Sequence, residues 1–376
     1  VNVKKNYNKI LFCASFTPPV NAGGGKNAYY FGRFLSGKGR QITLLSLNRK
    51  GKDKFRERVN GMQIIRLLYL NHTLITKLLS LLAIIPGYAW HVYKNEIVFI
   101  YGGNMIGFES IIFFSWMFGR KVVFRSTMYL EDDMNTLMKR PMGGLRKWIM
   151  RRLSFYFSLN PAFTSAWMAQ IGDREKVFES VQGVDTSVFT PVEDKVKEML
   201  RNRLKLPTDS MIIISVGYVL RRKGFHHIFK SLSDLKKPFL YLVVGNYSVS
   251  KDHYLNKFRD EMNTLYQMGM EELDGKVLFV GPNDNVQEYL QAADVFLLCS
   301  RREGFPNALL EAMSCGLPCV MRDLPGHYDL IARDRENMIL LGDPQELKPV
   351  LSNVLEEAGL RKSLGLEARK TIIERG

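Results

Sequence analysis

Glu303 and Glu311 stand eight positions apart in "SRREGFPNALLEAMSCGLPCV", residues 300 to 320, around a Gly-Phe-Pro turn. Carboxylates so placed could form an acid–base pair, a metal site, a cap with a solvated side chain, or two acceptors for a ligand's hydroxyls. The segment "DVFLLCS" before them reads as a buried strand, "RREGFPN" as a loop, and "NALLEAMSC" as a short helix stopped by Gly316 and Pro318. Asn307 is the expected N-cap, and Glu311 then lies one turn along the same face. Free N–H groups near Phe305 and Pro306 would make an anion site between the two acids. A nucleotide sugar needs that arrangement: diphosphate in the middle, sugar hydroxyls on one side and ribose hydroxyls on the other.

Three further segments carry residues of chemical interest. In "YVLRRKGFHHIFKSL", Arg221, Arg222 and Lys223 fill a turn closed by Gly224, after the strand-like "MIIISVG" that ends at Gly217. Such a cluster can hold a diphosphate without competing carboxylates. In "TPPVNAGGGKNAYYFGRFL", Gly23, Gly24 and Gly25 precede a helix-like run, where bare backbone lets N–H groups approach an anion. That run is neither a P-loop nor a clean GxGxxG. In "STMYLEDDM", Glu131, Asp132 and Asp133 could bind acceptor hydroxyls, assist deprotonation or form a charged loop.

These loops need elements to hold them. Apolar runs recur in the first half as "KILFCASF", "QITLLSL", "MQIIRLL", "EIVFIYG" and "KVVFRST". In the second half they are "MIIISVG", "FLYLVVG", "KVLFVG", "DVFLLCS" and "LPCVM". Continuous rather than alternating hydrophobicity suits strands buried on both faces of a parallel sheet, and helical stretches such as "FHHIFKSLSDL" and "NVQEYLQAA" fall between them. At 376 residues the chain is expected to hold two domains. The reading is a doubly wound α/β unit made twice, with domains at 1–185 and 186–376 joined through "VQGVDTSVFTPVEDK". Ligands of open α/β sheets bind at the carboxyl ends of the strands, so the strand-to-helix loops would line an interdomain cleft.

The segment "AADVFLLCSRREGFPNALLEAMSCGLPCV" resembles the signature of the family-4 retaining glycosyltransferases, which have the GT-B fold of two facing Rossmann-like domains. The similarity extends along nearly the whole chain. "VQGVDTSVFTP" is similar to that family's Asn-Gly-Val-Asp interdomain segment, with Gln182 in place of Asn. "VGYVLRRKGFHHIFKSL" resembles its phosphate loop and "ENMILLGDPQEL" its late strand-turn-helix. The resemblance implies that Glu311 binds the nucleotide's ribose and Glu303 contacts the transferred sugar. Gly304, Phe305, Pro306 and Asn307 would shape the adjoining backbone site. Arg222 and Lys223 would hold the diphosphate beside Gly217, with Gly23, Gly24 and Gly25 on its other side. Glu303, Arg222 and Lys223 are the expected catalytic set, with Thr127, Asp132 and Asp133 on the acceptor side. Two positions depart from the family pattern. Tyr218 stands where many members have arginine, and about Thr127 stands where many have histidine.

The resemblance thus implies transfer of a hexose or N-acetylhexosamine from a nucleoside diphosphate, UDP rather than GDP, with no metal and no cofactor. The alternatives are a GT-B enzyme with a soluble acceptor, such as a glycogen- or sucrose-type synthase or a nucleotide-sugar epimerase, and a noncatalytic binding scaffold. Family members commonly continue past "LEARKTIIERG" with a helix that crosses back to the first domain.

Charge says where an acceptor would be met. Residues 1–180 hold 27 Lys and Arg against 10 Asp and Glu, a balance of +17, while the remainder balances to −1. Basic residues accompany large apolar ones in "LRKWIMRRLSFYF" and in "HTLITKLLSLLAIIPGYAWHV", the latter read as broken at Pro86-Gly87 into a surface helix or hairpin, or else as a buried core helix. An anionic membrane surface is the expected partner rather than nucleic acid, with a lipid-linked or growing glycan as acceptor. Cys13, Cys299, Cys315 and Cys319 have neither zinc-finger nor CxxC spacing and read as reduced packing residues. The segment "VNVKKNYNKILFCASF" passes from a short basic stretch straight into a strand, unlike a secretory signal. The expected location is cytoplasmic, peripheral at the inner face of the plasma membrane.

Overall fold

The computed structural model describes residues 7–17, 23–48, 53–70, 73–248 and 255–375. The chain divides into two compact units, Val1–Ser180 and Val181–Gly376.

The first unit contains β1 (Lys9–Ala14), β2 (Gln41–Asn48), β3 (Arg56–Val59), β4 (Met62–Leu68), β5 (Ile97–Tyr101), β6 (Lys121–Arg125), β7 (Phe155–Ser158) and β8 (Val177–Glu179). They form one sheet in the order β3-β4-β2-β1-β5-β6-β7-β8, parallel except for the β3–β4 pair. Leu11, Phe12, Cys13 and Ala14 of β1 are wholly buried, as a strand covered on both faces requires. Removing the Leu11 or the Phe12 side chain from water is worth roughly 1.5–3 kcal/mol. The five apolar runs of the first half are β1, β2, β4, β5 and β6. The sequence did not signal β3, a charged "RERV" edge strand, or the short β7 and β8.

The helices of this unit are α1 (Gly23–Gly37), α2 (Leu74–Lys94), α3 (Phe108–Met117), α4 (Met134–Lys139), α5 (Gly143–Met150) and α6 (Pro161–Gln170). Side chains mark several starts. Thr73 and Thr76 form a reciprocal capping box on α2, while Asn160 accepts from Phe163 N at 3.0 Å with Pro161 opening α6. Helix α2 runs unbroken through Pro86, which corrects the expected break at Pro86-Gly87. Its buried side, with Ile84, Tyr88 and Val92, fixes the helix, and Gly87 lies so near Leu67 that a Cβ there would sit 3.0 Å from the Leu67 side chain. Tertiary packing thus holds a helix that proline alone would interrupt.

The second unit contains β9 (Met211–Val216), β10 (Phe239–Val244), β11 (Val277–Gly281), β12 (Val295–Leu298), β13 (Cys319–Arg322) and β14 (Ile339–Leu341). Their order is β11-β10-β9-β12-β13-β14, all parallel. Its helices are α7 (Asp194–Arg203), α8 (Phe225–Ser233), α9 (Arg259–Leu273), α10 (Val286–Ala292), α11 (Asn307–Ser314), α12 (Leu347–Glu356) and α13 (Ala358–Arg375). Ile213, Tyr241, Val243, Leu297 and Val320 from the strands pack with Phe225, Phe229 and Leu351 from the helices into one core. The strand order reverses between β9 and β12, which opens a crevice at their carboxyl ends. The four cysteines are buried free thiols, each pushed upward in pKa by burial.

Candidate functional site

The loops that leave β9 and β12 flank that reversal point. Gly217 follows β9 with φ +142°, and a Cβ on its neighbour Gly245 would fall 2.2 Å from the Gly217 carbonyl oxygen. The chain then closes a tight turn over Arg221–Lys223 and passes through Gly224 at φ +80°. A Cβ on Gly224 would lie 2.0 Å from the Cys299 carbonyl oxygen, so only glycine lets this loop rest on the end of β12. The Arg301 N–H donates to the Arg222 carbonyl at 2.7 Å and ties the two loops together.

This closeness brings Lys223 to Glu303. Lys223 Nζ lies 2.5 Å from Glu303 Oε1, which also accepts from Ser300 Oγ at 2.7 Å. Glu303 is only 4% exposed. Burial alone would raise its carboxyl pKa, but the Lys223 and Arg222 charges and the bonds from Lys223 and Ser300 hold it below the ordinary value. Burial draws Lys223 down, with Glu303 opposing and Arg222 adding to the fall. Arg222 Nη1 is buried with no acceptor among the described residues. A buried guanidinium N–H without an acceptor costs about 1–3 kcal/mol, and an incoming anion would satisfy it.

Gly304, Phe305 and Pro306 are buried beside Glu303. Helix α11 starts at Asn307 with Pro306 as its cap residue, which corrects the expectation that Asn307 is the N-cap. The Asn307 side chain is occupied elsewhere: its Oδ1 accepts from Gln182 Nε2. Glu311 stands partly exposed one turn further along. The segment around Phe189 is fastened to α11 and α13, since Ser314 Oγ and Arg369 Nη1 both donate to the Phe189 carbonyl.

Three contributors to this site escaped the sequence reading. Ser300 is one. The others are His327 and Tyr328, in the loop that follows β13; both feel the Glu303 charge, and the Tyr328 ring stands edge-on to Phe305 at 6.3 Å. Burial lowers the His327 pKa. The available signal was their place after the strand "LPCVM", in a Pro-Gly turn.

In the first unit, Gly23, Gly24 and Gly25 form the first turn of α1 itself rather than a loop before it. Residues 18–22 of the same stretch lie outside the described residues. A Cβ on Gly25 would sit 2.0 Å from the Phe16 carbonyl oxygen, while one on Gly24 would make ordinary contact with Thr127 Cγ2 at 3.4 Å. The glycine turn and Thr127 are thus neighbours. Asp132 and Asp133 have other work than the acceptor role expected for them. Asp132 is fully buried, its Oδ1 accepting from Thr127 N and Met128 N and its Oδ2 from Gly103 N and Thr127 Oγ1. Asp133 caps α4 through Thr136 N and Thr136 Oγ1. Four donors fill the four acceptor positions of the Asp132 carboxylate, leaving none for a substrate hydroxyl.

The two Rossmann-like units have the GT-B fold. Residues 196–371 match the family described as glycosyl transferases group 1. Among curated relatives, the lipopolysaccharide core biosynthesis glycosyltransferase LpsE of Rhizobium meliloti is 26% identical over 176 residues, 46% of this chain and 48% of that protein. An N,N'-diacetylbacillosaminyl-diphospho-undecaprenol alpha-1,3-N-acetylgalactosaminyltransferase of Campylobacter jejuni is 27% identical over 234 residues, 59% of this chain and 58% of that one. The match thus spans about half the length of these relatives. The solved structure of Anabaena HepE in complex with UDP superposes with a TM-score of 0.75 at 17% identity, covering 98% of this chain and 95% of that one.

Proposed function

We propose that the protein is a retaining glycosyltransferase of surface polysaccharide biosynthesis. It moves a hexose or N-acetylhexosamine from a UDP-sugar to a lipid-linked or growing glycan at the inner face of a membrane. The observation that carries this reading is the buried Lys223–Glu303 pair beside an Arg222 N–H with no acceptor among the described residues, at the reversal point of a parallel sheet. The UDP complex of HepE and the acceptor named in the Campylobacter relative lend support.

In the proposed reaction, Arg222 and Lys223 take the charge of the departing diphosphate, aided by the amino end of α11. Diphosphate binding would draw Lys223 partly away from Glu303 and leave that carboxylate facing the sugar. Glu303 would then accept sugar hydroxyls and stabilise positive character on the ring, and the acceptor hydroxyl would attack from the face the diphosphate leaves, giving its proton to the departing phosphate oxygen as the sugar–phosphate bond breaks. A panel of labelled nucleotide sugars tests this. Transfer should occur from a UDP-sugar and be lost in Glu303→Ala and Arg222→Ala; undiminished turnover in both variants removes the proposed site.

The membrane half of the reading rests on α2. Its outward face carries Ile75, Leu78, Leu79, Leu82, Trp90 and Tyr93, with Ile75 69%, Leu82 70% and Trp90 55% exposed. A helix apolar on both its buried and its outward side needs a nonaqueous neighbour. Helix α3 packs beside it and α5 beside α3, adding exposed Trp116 and Trp148, with the Arg152 guanidinium 3.7 Å from the Trp148 ring centre. Aromatic rings with flanking cations suit the headgroup level of a bilayer. Among the described residues, no helix is long and apolar enough to cross a membrane. Flotation with anionic vesicles should show salt-sensitive binding, and no association at low salt would sink this half.

A further inference from the structure

The parallel sheet of the first unit has a second end. At the amino ends of β1 and β2, opposite the loops described above, lies a groove of about 810 Å³. Lys9 opens β1, Arg40 precedes β2, Arg56 and Arg58 project from β3, and Lys94 closes α2; all five line it, with His91. Among the described residues no carboxylate does. The acids on the flanking segments are committed elsewhere. Glu57 is paired with Arg66 at 2.5 Å, and Glu96 Oε2 accepts from Asn8 N and Lys9 N.

Cations gathered at helix carboxyl ends have an ordinary explanation, because they offset the macrodipole. Here the amounts differ. The ends of α1 and α2 each present about −0.5 elementary charge, about −1 in all. Five side chains cationic at neutral pH exceed that several-fold, and they converge on a concavity rather than spreading over a convex face. Arg56 is also near enough to His91 to lower its pKa beyond what burial does, so the groove crowds like charge. Crowded cations around a hollow are stabilised by a multivalent anion with several acceptor oxygens.

We propose that this groove is a second anion site, separate from the Arg222–Lys223 turn, which takes phosphate groups. Its outer wall includes Trp90, which belongs to the uncovered apolar face of α2 and carries Lys94 over its ring at 4.6 Å. A lipid headgroup phosphate would thus reach the groove beside apolar surface, while a free diphosphate would enter from solvent. The site stands whether or not the sugar-transfer reading holds.

The test uses the full chain and the double variant Arg40→Ala/Arg58→Ala, checked for an unchanged thermal midpoint. Arg222→Ala serves as the control for the other site. One arm titrates inorganic pyrophosphate by calorimetry; the other measures co-sedimentation with phosphatidylglycerol and phosphatidylcholine vesicles. The double variant should lose about 30-fold in affinity for one of the two probes, the pyrophosphate arm being read in an Arg222→Ala background so that the groove alone reports. A loss confined to phosphatidylglycerol vesicles identifies lipid headgroups, and a loss confined to pyrophosphate identifies a soluble ligand. Wild-type affinity of the double variant in both arms overturns the proposal. A folding defect in it is met by the milder pair Arg40→Gln/Arg58→Gln, read in the same two arms.

Discussion

Lys223 and Glu303, 80 positions apart in sequence, meet at 2.5 Å across the reversal point of the second sheet. Neither is well solvated, so each depends on the other. Glu303→Leu or Lys223→Met alone should cost roughly 3–5 kcal/mol of stability by stranding a buried charge. Joint replacement by Lys223→Met and Glu303→Leu should recover much of that loss. Denaturant unfolding of the four proteins gives the coupling directly. Sugar transfer should be absent from the double variant although it folds better than either single one, which separates the pair's function from its structural part.

The same pair sets an acid limit. The folded Glu303 carboxyl lies below its ordinary 4.5, so its contribution to stability is complete above that pH. The contribution fades as pH falls toward the lowered folded value. Urea midpoints measured from pH 6 downward should therefore drop more steeply for the wild type than for Glu303→Gln. Parallel curves would mean that the ion pair contributes nothing to the linkage.

Glycines at the start of α1 and in the loop after β9 should respond unequally. Gly25→Ala places a methyl against the Phe16 carbonyl and should cost about 1–3 kcal/mol. Gly224→Ala meets the Cys299 carbonyl at positive φ and should cost at least as much. Gly24→Ala, with room beside Thr127, should fold as well as the wild type or better, because alanine favours a helix over glycine by about 1 kcal/mol. Thermal melts rank the three. An equal loss in Gly24→Ala would contradict the packing described.

Asp132→Ala removes the acceptor of four hydrogen bonds that hold the loop after β6. Stability should fall by several kcal/mol, since buried N–H groups are left without partners. Nucleotide binding by the second unit should be unchanged, as calorimetry with UDP would show. A stable Asp132→Ala protein defective only toward acceptor would restore the acceptor role.

The legible parts of this molecule were those where one local rule sufficed. Apolar runs such as "KILFCASF" and "MIIISVG" became β1 and β9 because a strand covered on both faces has no polar positions to confuse its pattern. The Gly-Phe-Pro context of Glu303 marked a strand end and a helix start, and both are there. What stayed hidden depended on distant partners. No spacing shows that Asp132 turns inward to collect N–H groups from residues 103, 127 and 128, or that Leu67 would carry α2 past Pro86. His327 joins Glu303 only because β13 lies beside β12, which is a fact of sheet order. Edge strands such as β3 are unreadable for another reason: with one side open, they tolerate "RERV" as readily as any loop does.

The oily ridge of α2 also governs the molecule in the test tube. Away from lipid, copies can shield Leu78 and Leu82 only against one another, so concentrated samples should self-associate through this helix. A mild detergent would dissolve such assemblies by occupying the ridge, and serine at those two positions should yield a protein that stays monomeric without it.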